Sequence, residues 1–552
     1  MLALLSSLAM PTPQAQAQAN NTARELRIPF PKDDGTLTPY TFENGYSLVT
    51  LVYDTLADGT PSLIRSLRKA DAGKRITIRM RTGVRWHDGR PLTADDVAFT
   101  FDYFARRFHP RFTPQLEAIE RVQALGPDTV QFTLRHASPG FGQPLGDVPI
   151  LPRHLWQDLP AGQIAPDGLP VGSGPYRLVE HRRGERYRFR ANRDYFRGPP
   201  KVAMIEVPFI GDFEETVRAL ESRKVDMIPV TLPERTQDRL RQSVFKTDFG
   251  PLYTGTTLMF NLRRPPFDQP EARRAVASAL DLQRIARTEI IGGADAKPAS
   301  LGYLHPASRW AAPSPLRRFD EDRARSRLAA LDLPRIRVMA PDNDPVRLEA
   351  GRQVVLALER AGAGAVLEEL PPDRLAAAIG QDGSEPSFDA AIGASPALAS
   401  SEPDFLRAVF GERGPLNYSG YRSAKFDKLA ARVASETNPD KRRRAVLAEL
   451  ELLDRDAPVV PLFFQEGAYV YRPQVYDGWA FSPSTGILNK QSFLRSTVKS
   501  ARGSGSGAIL PAGSEGAGGG GIGVLGFVAL GMVGVVLVIL TLGLIARLLA
   551  RR

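Results

Sequence analysis

Segments with a two-residue apolar period and segments with a helical period occur side by side along this chain, and this mixture restricts the fold class more than any other feature. Residues 76–80, ITIRM, place an apolar side chain at every second position, which predicts a half-buried strand. Thr93 stands three residues before Asp96, close to a capping box, and predicts the start of a helix with Val97 and Phe101 on one stripe. The sequence therefore predicts an α/β fold in mixed order.

The same reasoning places further elements along the 552 residues, a length that suggests several domains or lobes. Residues 172–175, GSGP, predict a turn that enters a strand, because Tyr176 and Leu178 follow at alternate positions. The basic run 441–445, KRRRA, is expected to be the exposed face of a helix. Strands are predicted at 187–191 and 204–210, and helices at 212–225, 271–287, 347–361, 425–434 and 441–454.

Composition excludes several kinds of chemistry. The chain has no cysteine, which excludes disulfides, thiolate metal sites, a cysteine nucleophile and a lipid-modified cysteine. Its six histidines do not stand at metal-ligand spacing, so we expect no metal site and no cofactor. The formal net charge is +11, but the 61 acidic residues are interspersed with the 72 basic ones, so we expect no nucleic-acid partner.

The sequence contains no recognisable catalytic constellation. His87 and Asp88 are adjacent on a turn, and we expect this turn to be structural because adjacent turn residues rarely face one common site. No GxSxG nucleophile motif occurs, and the glycines of residues 172–175 lack the lysine and the helix that phosphate binding needs. We therefore expect no catalytic residues and no enzymatic activity, and capture of a ligand is favoured over chemistry.

The first residues predict export. Residues 1–10, MLALLSSLAM, form a short apolar run, and residues 15–19, AQAQA, offer small residues at the alternate positions of a cleavage site. A positively charged start is missing. Two interpretations of residues 1–19 therefore stay open, a signal peptide and a disordered leader.

The other end predicts a membrane anchor. Residues 522–546 contain no charge, and a helix of this length would measure about 37 Å, enough to span a hydrocarbon core of about 30 Å. Arginines follow directly, so the positive-inside rule places residues 547–552 in the cytoplasm. Residues 498–521, rich in Gly, Ser and Ala, predict a flexible linker with a reach of roughly 25–30 Å. We expect a single-pass protein of the cell membrane with its body on the extracellular or periplasmic side.

Several segments of the body form an ordered set of motifs. They begin with the strand, turn and helix RTGVRWHDGRPLTADDVAFTFDY, followed by PILPRHLW at 149–156 and PVGSGPYRLVEHRRGERYRFRANRDYFRGPPKV at 170–202. The blocks ALESRKVDMI, FNLRRPPFD, EARRAVASALD, FDEDRARSRLAAL and NYSGYRSAKFDKL come later. Together, over about residues 25–497, they resemble the family 5 extracellular solute-binding proteins, the peptide, nickel and oligosaccharide receptors of ABC importers.

The resemblance implies a two-lobed, periplasmic-binding-protein-like fold that closes on a ligand by a hinge, in addition to the C-terminal transmembrane helix. The first lobe would comprise residues 24–255, with an extra subdomain at 47–165 and the chain returning at 470–497. The second lobe would comprise residues 256–469. The hinge would lie in the two strands that cross between the lobes.

The resemblance also implies that ligand contacts come from irregular stretches and from the crossing strands. Aromatic rings and amides there can stack on and hydrogen-bond a polar ligand in a closed cleft. No histidine falls within these stretches, which argues against a nickel chelate. The expected ligand-binding residues are Tyr40, Thr41, Phe42, Tyr253, Asn261, Ser395, Asn417 and Tyr418.

Family members that bind peptides would hold the peptide's α-ammonium with a carboxylate of a second-lobe loop, which corresponds here to residues 393–406. Counting along this loop places the position of that carboxylate at Leu398 or Ala399. Neither residue is acidic, so the carboxylate is missing. Only Glu402 or Asp404 offers a substitute nearby. We therefore expect oligopeptides with a free N-terminus to bind poorly, and a capped peptide, a sugar or another small polar metabolite to fit better.

The function that the resemblance implies is that of a receptor that captures a peptide-like or other small polar solute and delivers it to the permease and ATPases of an ABC importer. A second hypothesis uses the same fold as a membrane-tethered solute sensor or scaffold. A third is hydrolysis of a peptide or glycoside on this scaffold. A permease and ATPase operon would favour the first, a neighbouring sensor kinase the second, and turnover of a candidate substrate the third.

Overall fold

The computed structural model describes residues 23–494, apart from residues 43–44, 59–61, 161–162, 164, 229–233, 242–243, 292–295, 332 and 484. The predicted leader, linker, membrane span and cytoplasmic tail lie outside the described residues. Across the described ranges, no helix is both long enough and apolar enough to cross a membrane. Within them the chain forms three β-sheets with helices packed around them.

Strands and helices follow one another in irregular order, which confirms the predicted mixed α/β class. The strands are β1 (Ala23–Arg27), β2 (Ile64–Ala70), β3 (Arg75–Met80), β4 (Ile119–Gly126), β5 (Thr129–Leu134), β6 (Tyr176–Arg182), β7 (Arg186–Ala191), β8 (Val202–Pro208), β9 (Met227–Ile228), β10 (Lys246–Phe260), β11 (Lys297–Pro298), β12 (Ile336–Pro341), β13 (Ala365–Leu370), β14 (Ala390–Ser395) and β15 (Val459–Tyr471). The helices are α1 (Tyr46–Val52), α2 (Ala94–Arg106), α3 (Gly142–Asp147), α4 (Arg153–Trp156), α5 (Phe213–Glu221), α6 (Glu234–Arg241), α7 (Pro270–Ser278), α8 (Leu282–Ala286), α9 (Glu321–Ala329), α10 (Pro345–Arg360), α11 (Pro372–Ile379), α12 (Ala397–Ser401), α13 (Leu406–Phe410), α14 (Ala424–Ser435), α15 (Pro439–Asp456) and α16 (Lys490–Phe493). Short 3₁₀ helices cover Asp71–Gly73, Thr113–Leu116, Pro139–Phe141 and Pro403–Phe405.

The first sheet has the strand order β1-β8-β7-β6, with β1 parallel to β8 and the other pairs antiparallel. On β7 the side chains of Tyr187 and Phe189 are buried, whereas Arg188 between them is partly exposed. The returning end of the chain packs on the inner face, where the ring centroids of Phe493 and Tyr176 are 5.6 Å apart. The sheet therefore has an apolar inner face and a charged outer face.

The second sheet, β2-β3-β5-β4, is antiparallel throughout. On β3, Ile76 and Ile78 are buried at alternate positions, which confirms the predicted period. Helix α2 packs against β4 and β5. At its start the Asp96 carboxylate accepts a hydrogen bond from the backbone N–H of Thr93 at 2.8 Å, so the predicted helix start is confirmed.

Two of the sequence motifs meet in space and hold α1 in place. His87 Nε2 donates a hydrogen bond to the carbonyl oxygen of Gly174 at 3.0 Å, and its backbone N–H donates to Gly172 at 2.7 Å. These two glycines lie so close to the carbonyl oxygens of Val52 and Leu51 that a Cβ would overlap them. Burial lowers the pKa of His87 to about 4, so the ring is neutral in this position. The His87 turn is a structural turn, as expected.

The third sheet has the strand order β11-β15-β10-β14-β12-β13, and β9 pairs with the end of β15. Helix α10 packs on β12, β13 and β14. The single helix predicted over residues 271–287 is instead two helices, α7 and α8. The reason is local, because the Asp281 side chain accepts a hydrogen bond from the backbone N–H of Arg284 and caps a new helix there.

Strands β10 and β15 are the longest in the described chain, with 15 and 13 residues, and run through both predicted lobes. Residues 246–251 of β10 pair with β15 alone, whereas residues 255–260 pair with β15 on one edge and with β14 on the other. The ladder between β10 and β15 shifts its register between Pro251 and Gly255. The two crossing strands thus connect the lobes with an interruption of their hydrogen-bonded pairing.

A buried ion pair fixes the returning end of the chain. Nζ of Lys490 lies 2.7 Å from Oδ1 of Asp54 and also contacts Asp58; the Lys490 and Asp54 side chains are 4% and 0% exposed. Asp54 accepts further hydrogen bonds from the hydroxyls of Tyr195 at 2.7 Å and Ser173 at 2.9 Å. Buried charges are tolerated when they are paired and hydrogen-bonded in this way. The network joins α16 to the chain that follows α1.

Replacement of Lys490 by Met should lower the free energy of unfolding by about 3–5 kcal/mol, because two acidic groups would lose their buried cation. Urea titration followed by circular dichroism measures this change. Lys297→Met is the matched control, because the Lys297 side chain is 46% exposed and its Nζ comes no closer than 4.0 Å to Oε1 of Glu466, a weak ion pair. The control should change stability by at most about 1 kcal/mol. Equally small effects in both variants would contradict the role assigned to Lys490.

Candidate ligand-binding site

Two of the predicted binding residues lie together where β10 enters the second lobe. Tyr253 is 8% exposed, and its ring stacks on His305 with centroids 5.1 Å apart. Ser395, at the end of β14, accepts a hydrogen bond through Oγ from the backbone N–H of Gly255 at 2.8 Å. The ring of Phe464 on β15 lies 5.0 Å from that of His305. We call Tyr253, His305, Ser395 and Phe464 the Tyr253 cluster.

His305 was not among the predicted residues. Its Nδ1 accepts a hydrogen bond from the backbone N–H of Ala307 at 3.0 Å, which places the ring proton on Nε2. Nε2 has no hydrogen-bond partner within the described residues. Burial lowers the pKa of His305 to about 4, so its ring is neutral at physiological pH. The signal available in the sequence was a histidine in a loop, where binding residues are common.

The predicted residues Tyr40, Thr41 and Phe42 lie elsewhere, in the core around the second sheet. The Tyr40 hydroxyl donates a hydrogen bond to the carbonyl oxygen of Phe108 at 2.7 Å. The Phe42 ring lies 5.3 Å from His109, and Oγ1 of Thr41 is 2.8 Å from the Thr38 hydroxyl. Packing and turn formation account for the contacts of this segment, and it does not join the Tyr253 cluster.

The predicted residues Asn261, Asn417 and Tyr418 form a third group. Nδ2 of Asn261 donates to the carbonyl oxygen of Phe388 at 3.1 Å, and Nδ2 of Asn417 donates to that of Tyr421 at 2.7 Å. Arg263 connects the two segments, because its guanidinium donates to the Tyr418 carbonyl oxygen at 2.8 Å. Both amides are therefore used to fix loops of the protein itself.

The acidic residues after α12 turn toward a buried arginine. Nη2 of Arg442 lies 2.9 Å from Oε2 of Glu402 and 2.8 Å from Oδ1 of Asp404. Arg442 is 3% exposed, and its guanidinium also lies 4.6 Å from the centroid of the Trp310 ring. The prediction that residues 441–445 form an exposed basic face is therefore wrong at Arg442. Its two carboxylate partners stand about forty positions earlier in the chain, where the helix pattern could not reveal them.

A further carboxyl group lies beneath this ion cluster. Glu449 on α15 is 0% exposed, and neither of its oxygens has a hydrogen-bond partner in the described part of the chain. Burial, reinforced by the nearby Asp404 carboxylate, raises the pKa of Glu449 well above its usual range. Glu449 is therefore protonated at neutral pH, beneath the two carboxyl groups that pair with Arg442.

Replacement of Glu449 by Gln should stabilise the protein at neutral pH but not near pH 4.5, the ordinary pKa of this group. The raised folded-state pKa means that only the unfolded chain ionises as pH rises above that value, which costs up to about 1.4 kcal/mol per pH unit. Gln cannot ionise, so the difference between variant and parent should grow with pH. Unfolding free energies across this pH range test it, with Glu451→Gln, exposed on the same helix, as control. A pH-independent difference would contradict the buried neutral carboxyl.

Residues 404–407, at the end of this acidic segment, also contact the predicted subdomain of the first lobe. Nη1 of Arg407 in the second lobe lies 2.8 Å from Oε1 of Glu117 in the predicted subdomain. Gly140 of the subdomain faces the Asp404 carboxylate so closely that a Cβ would overlap Oδ2. The described conformation therefore brings the subdomain and the second lobe into contact.

Replacement of Gly140 by Ala should open this contact, because the added methyl group cannot fit beside Asp404. Overpacking of this kind typically costs about 1–3 kcal/mol. Small-angle scattering should show a larger radius of gyration for the variant. Gly126→Ala in the same subdomain is the control, since a Cβ there meets no atom within 4 Å. Identical radii for both variants would show that the contact does not hold the lobes together.

The two strands β10 and β15 run between two lobes, and the candidate site lies beside this crossing, an arrangement of the two-lobed type. The family model of the bacterial extracellular solute-binding proteins, family 5 (middle region), matches residues 59–416, and the chain belongs to this family. This confirms the resemblance stated above. It also confirms the prediction that the chain is a binding protein and not an enzyme.

Relatives of known structure agree with this assignment. Oligopeptide-binding protein AppA of Bacillus subtilis is 23% identical over 460 residues, covering 78% of this chain and 82% of that protein. The structure of AppA in complex with a nonapeptide matches with a TM-score of 0.76 at 20% identity, covering 86% of this chain and 99% of the other. NikZ from Campylobacter jejuni in complex with Ni(L-His) matches with a TM-score of 0.71 at 21% identity, covering 82% and 94%. These similarities confirm the predicted two-lobed fold.

Proposed function

We propose that this protein captures a small polar or peptide-like solute between its lobes and delivers it to the permease of an ABC importer. Support comes from its family and from relatives named as oligopeptide-binding proteins. In this proposal the body works outside the cell membrane, tethered by residues 522–546 and the preceding linker. The ATPases of the importer complete the set of partners.

The proposed class of ligand is inferred from the acidic residues after α12, because their carboxyl groups are already paired with arginines of the protein. Glu402 and Asp404 both pair with Arg442, and Glu402 also lies 2.8 Å from Nη2 of Arg309. Leu398 and Ala399 are buried and apolar, so neither expected position supplies a carboxylate. A peptide ammonium placed there would lack a counter-charge, and an unpaired buried charge is costly. We therefore propose a ligand without a free α-ammonium.

The Tyr253 cluster supports a ligand that offers hydrogen-bond acceptors. Its aromatic rings suit stacking, and the N–H at Nε2 of His305 is a donor that the described residues leave unused. A capped peptide, a sugar or another small polar metabolite has suitable oxygens.

A nickel chelate is the less favoured ligand, although the relative NikZ holds Ni(L-His). Two histidines from outside the predicted binding stretches, His109 and His305, lie beside the predicted residues Phe42 and Tyr253. However, His109 and His305 belong to different clusters, and the Nδ1 of each already accepts a backbone N–H. Within the described residues no group of three or more metal-ligating side chains is present.

Calorimetry with matched peptides tests this proposal. Di- to pentapeptides with a free N-terminus should bind at least about a hundredfold more weakly than a capped peptide of the same sequence, because about 3 kcal/mol is lost with an unpaired ammonium. Sugars and other polar metabolites are tested in the same assay. Submicromolar binding of a free peptide that disappears on N-acetylation would show that the proposed ligand class is wrong.

A further inference from the structure

A groove of about 610 Å³ lies on the outer face of the first sheet, away from the ligand-binding site described above. Small and apolar side chains such as Val179 and Met204 contribute to its lining. The lining also carries five arginines, which are Arg24, Arg177, Arg188, Arg190 and Arg193. Only two carboxylates, those of Glu25 and Asp194, line the same groove, so it is strongly positive.

Three of these arginines are available to a partner. Arg177 donates to the carbonyl oxygen of His87 at 2.7 Å, and Arg188 lies 3.5–3.8 Å from three glutamates. By contrast, the exposed side chains of Arg24, Arg190 and Arg193 form no hydrogen bond or ion pair with any residue that the structure describes. A guanidinium presents its N–H groups in a fork that matches phosphate and carboxylate oxygens. An anionic partner is therefore indicated.

The groove lies at the end of the sheet where the described chain ends. Val202, the first residue of β8, pairs with Ala23 at the start of β1, and Ala203 and Met204 follow it into the groove. The backbone N–H of Lys201 donates to the carbonyl oxygen of Phe493 at 2.8 Å, one residue before the last described position. The last described residues thus lie at the same end of the sheet as the groove, on its inner face.

We propose that this arginine groove docks the folded body onto the phosphate headgroups of anionic phospholipids in the membrane that anchors the chain. The inference rests on the membrane anchorage given in the proposed function. Anionic lipids attract basic clusters that stand close to a membrane span. Residues 498–521, the predicted Gly- and Ser-rich linker with a reach of roughly 25–30 Å, would keep the groove at a high effective concentration near the headgroups. A few unpaired arginines then suffice to orient the body.

The geometry favours a surface over one enclosed anion. Asn192 is the buried polar residue of the lining, at 6% exposure, and its groups are already used. Its Oδ1 accepts from Arg177 at 3.3 Å, and its Nδ2 donates to Gly174 at 3.2 Å. The unpaired arginines are all exposed at the rim, where they can meet several headgroups at once.

A single fluorescent label tests the docking directly, because the chain has no cysteine of its own. Ala203→Cys places the label in the groove, and Ala330→Cys places it on an exposed position of the second lobe. The labelled full chain is inserted into nanodiscs that carry an acceptor dye on their headgroups. Energy transfer from position 203 should be stronger with phosphatidylglycerol than with phosphatidylcholine alone, and the difference should vanish near 1 M salt, where the Debye length is about 3 Å. Position 330 should show no such difference.

Charge-reversal variants test whether the arginines of the groove cause the lipid-dependent association. The pair Arg190→Glu and Arg193→Glu should weaken the lipid-dependent association at least about tenfold. The pair Arg413→Glu and Arg444→Glu changes the net charge by the same amount at exposed positions of the second lobe. This pair should leave the lipid-dependent association unchanged. Equal transfer in both lipids, or an equal loss in both variant pairs, would overturn the proposal.

Two further experiments are needed. The first distinguishes lipid phosphate from free phosphate, and the second distinguishes failure of the membrane anchor from failure of docking. If inorganic phosphate, but not phosphatidylglycerol, changes the label at position 203 in an Arg190-dependent way, the groove is a small-anion site and docking is wrong. If the full chain enters neither kind of nanodisc, the anchor is wrong, and sedimentation with phosphatidylglycerol vesicles decides the docking alone. Salt-sensitive sedimentation would then support the groove, and its absence would refute it. Ligand calorimetry is independent of all these outcomes.

Discussion

Backbone hydrogen bonding between β10 and β15 is the constraint on which the rest of the molecule depends. Each strand runs through both predicted lobes, so the third sheet, unlike the other two, is built from chain of both lobes. Paired backbone groups resist bending, because a buried N–H or C=O that loses its partner is costly. The register shift between Pro251 and Gly255 relieves this constraint over a few residues. In the proposed lobe closure the hinge would lie in this short stretch, which contains Tyr253 of the candidate site.

Internal ion pairing, and not a lack of charge, decides what the second lobe can offer to a ligand. Glu402 and Asp404 stand close to the position where a peptide's ammonium would need a carboxylate, but Arg442 holds both. The buried Glu449 below them stays protonated, which keeps this group from carrying a further negative charge. The same residues reach across to the subdomain, because Gly140 lies against Asp404. The proposed ligand class and the lobe contact thus involve one cluster of residues.

The parts of the structure that were predictable are those whose causes lie within a few residues. The strand at 76–80 was predicted because alternation alone decides which of its side chains are buried. The helix over 271–287 was predicted too long, since its apolar stripe continues past Asp281, whose cap starts a new helix. Arg442 and His305 were misjudged or missed because their surroundings come from distant segments. The candidate site could be predicted only in part for the same reason, since periodicity tells which face is buried and not which neighbour covers it.

The position of the last described residues also determines how mechanical load would reach the body. In the proposed tethered protein, any pull along the chain beyond Leu494 would enter at Phe493, whose carbonyl oxygen accepts a hydrogen bond from Lys201 just before β8 of the first sheet. The adjacent Lys490, buried against Asp54, passes that load into the interior of the same lobe. The second lobe receives it through the crossing strands and through the contacts of Arg407 with Glu117 and of Gly140 with Asp404. In the proposed tethered receptor, the first lobe would therefore be held by the load, and the second would be the lobe displaced during capture and release.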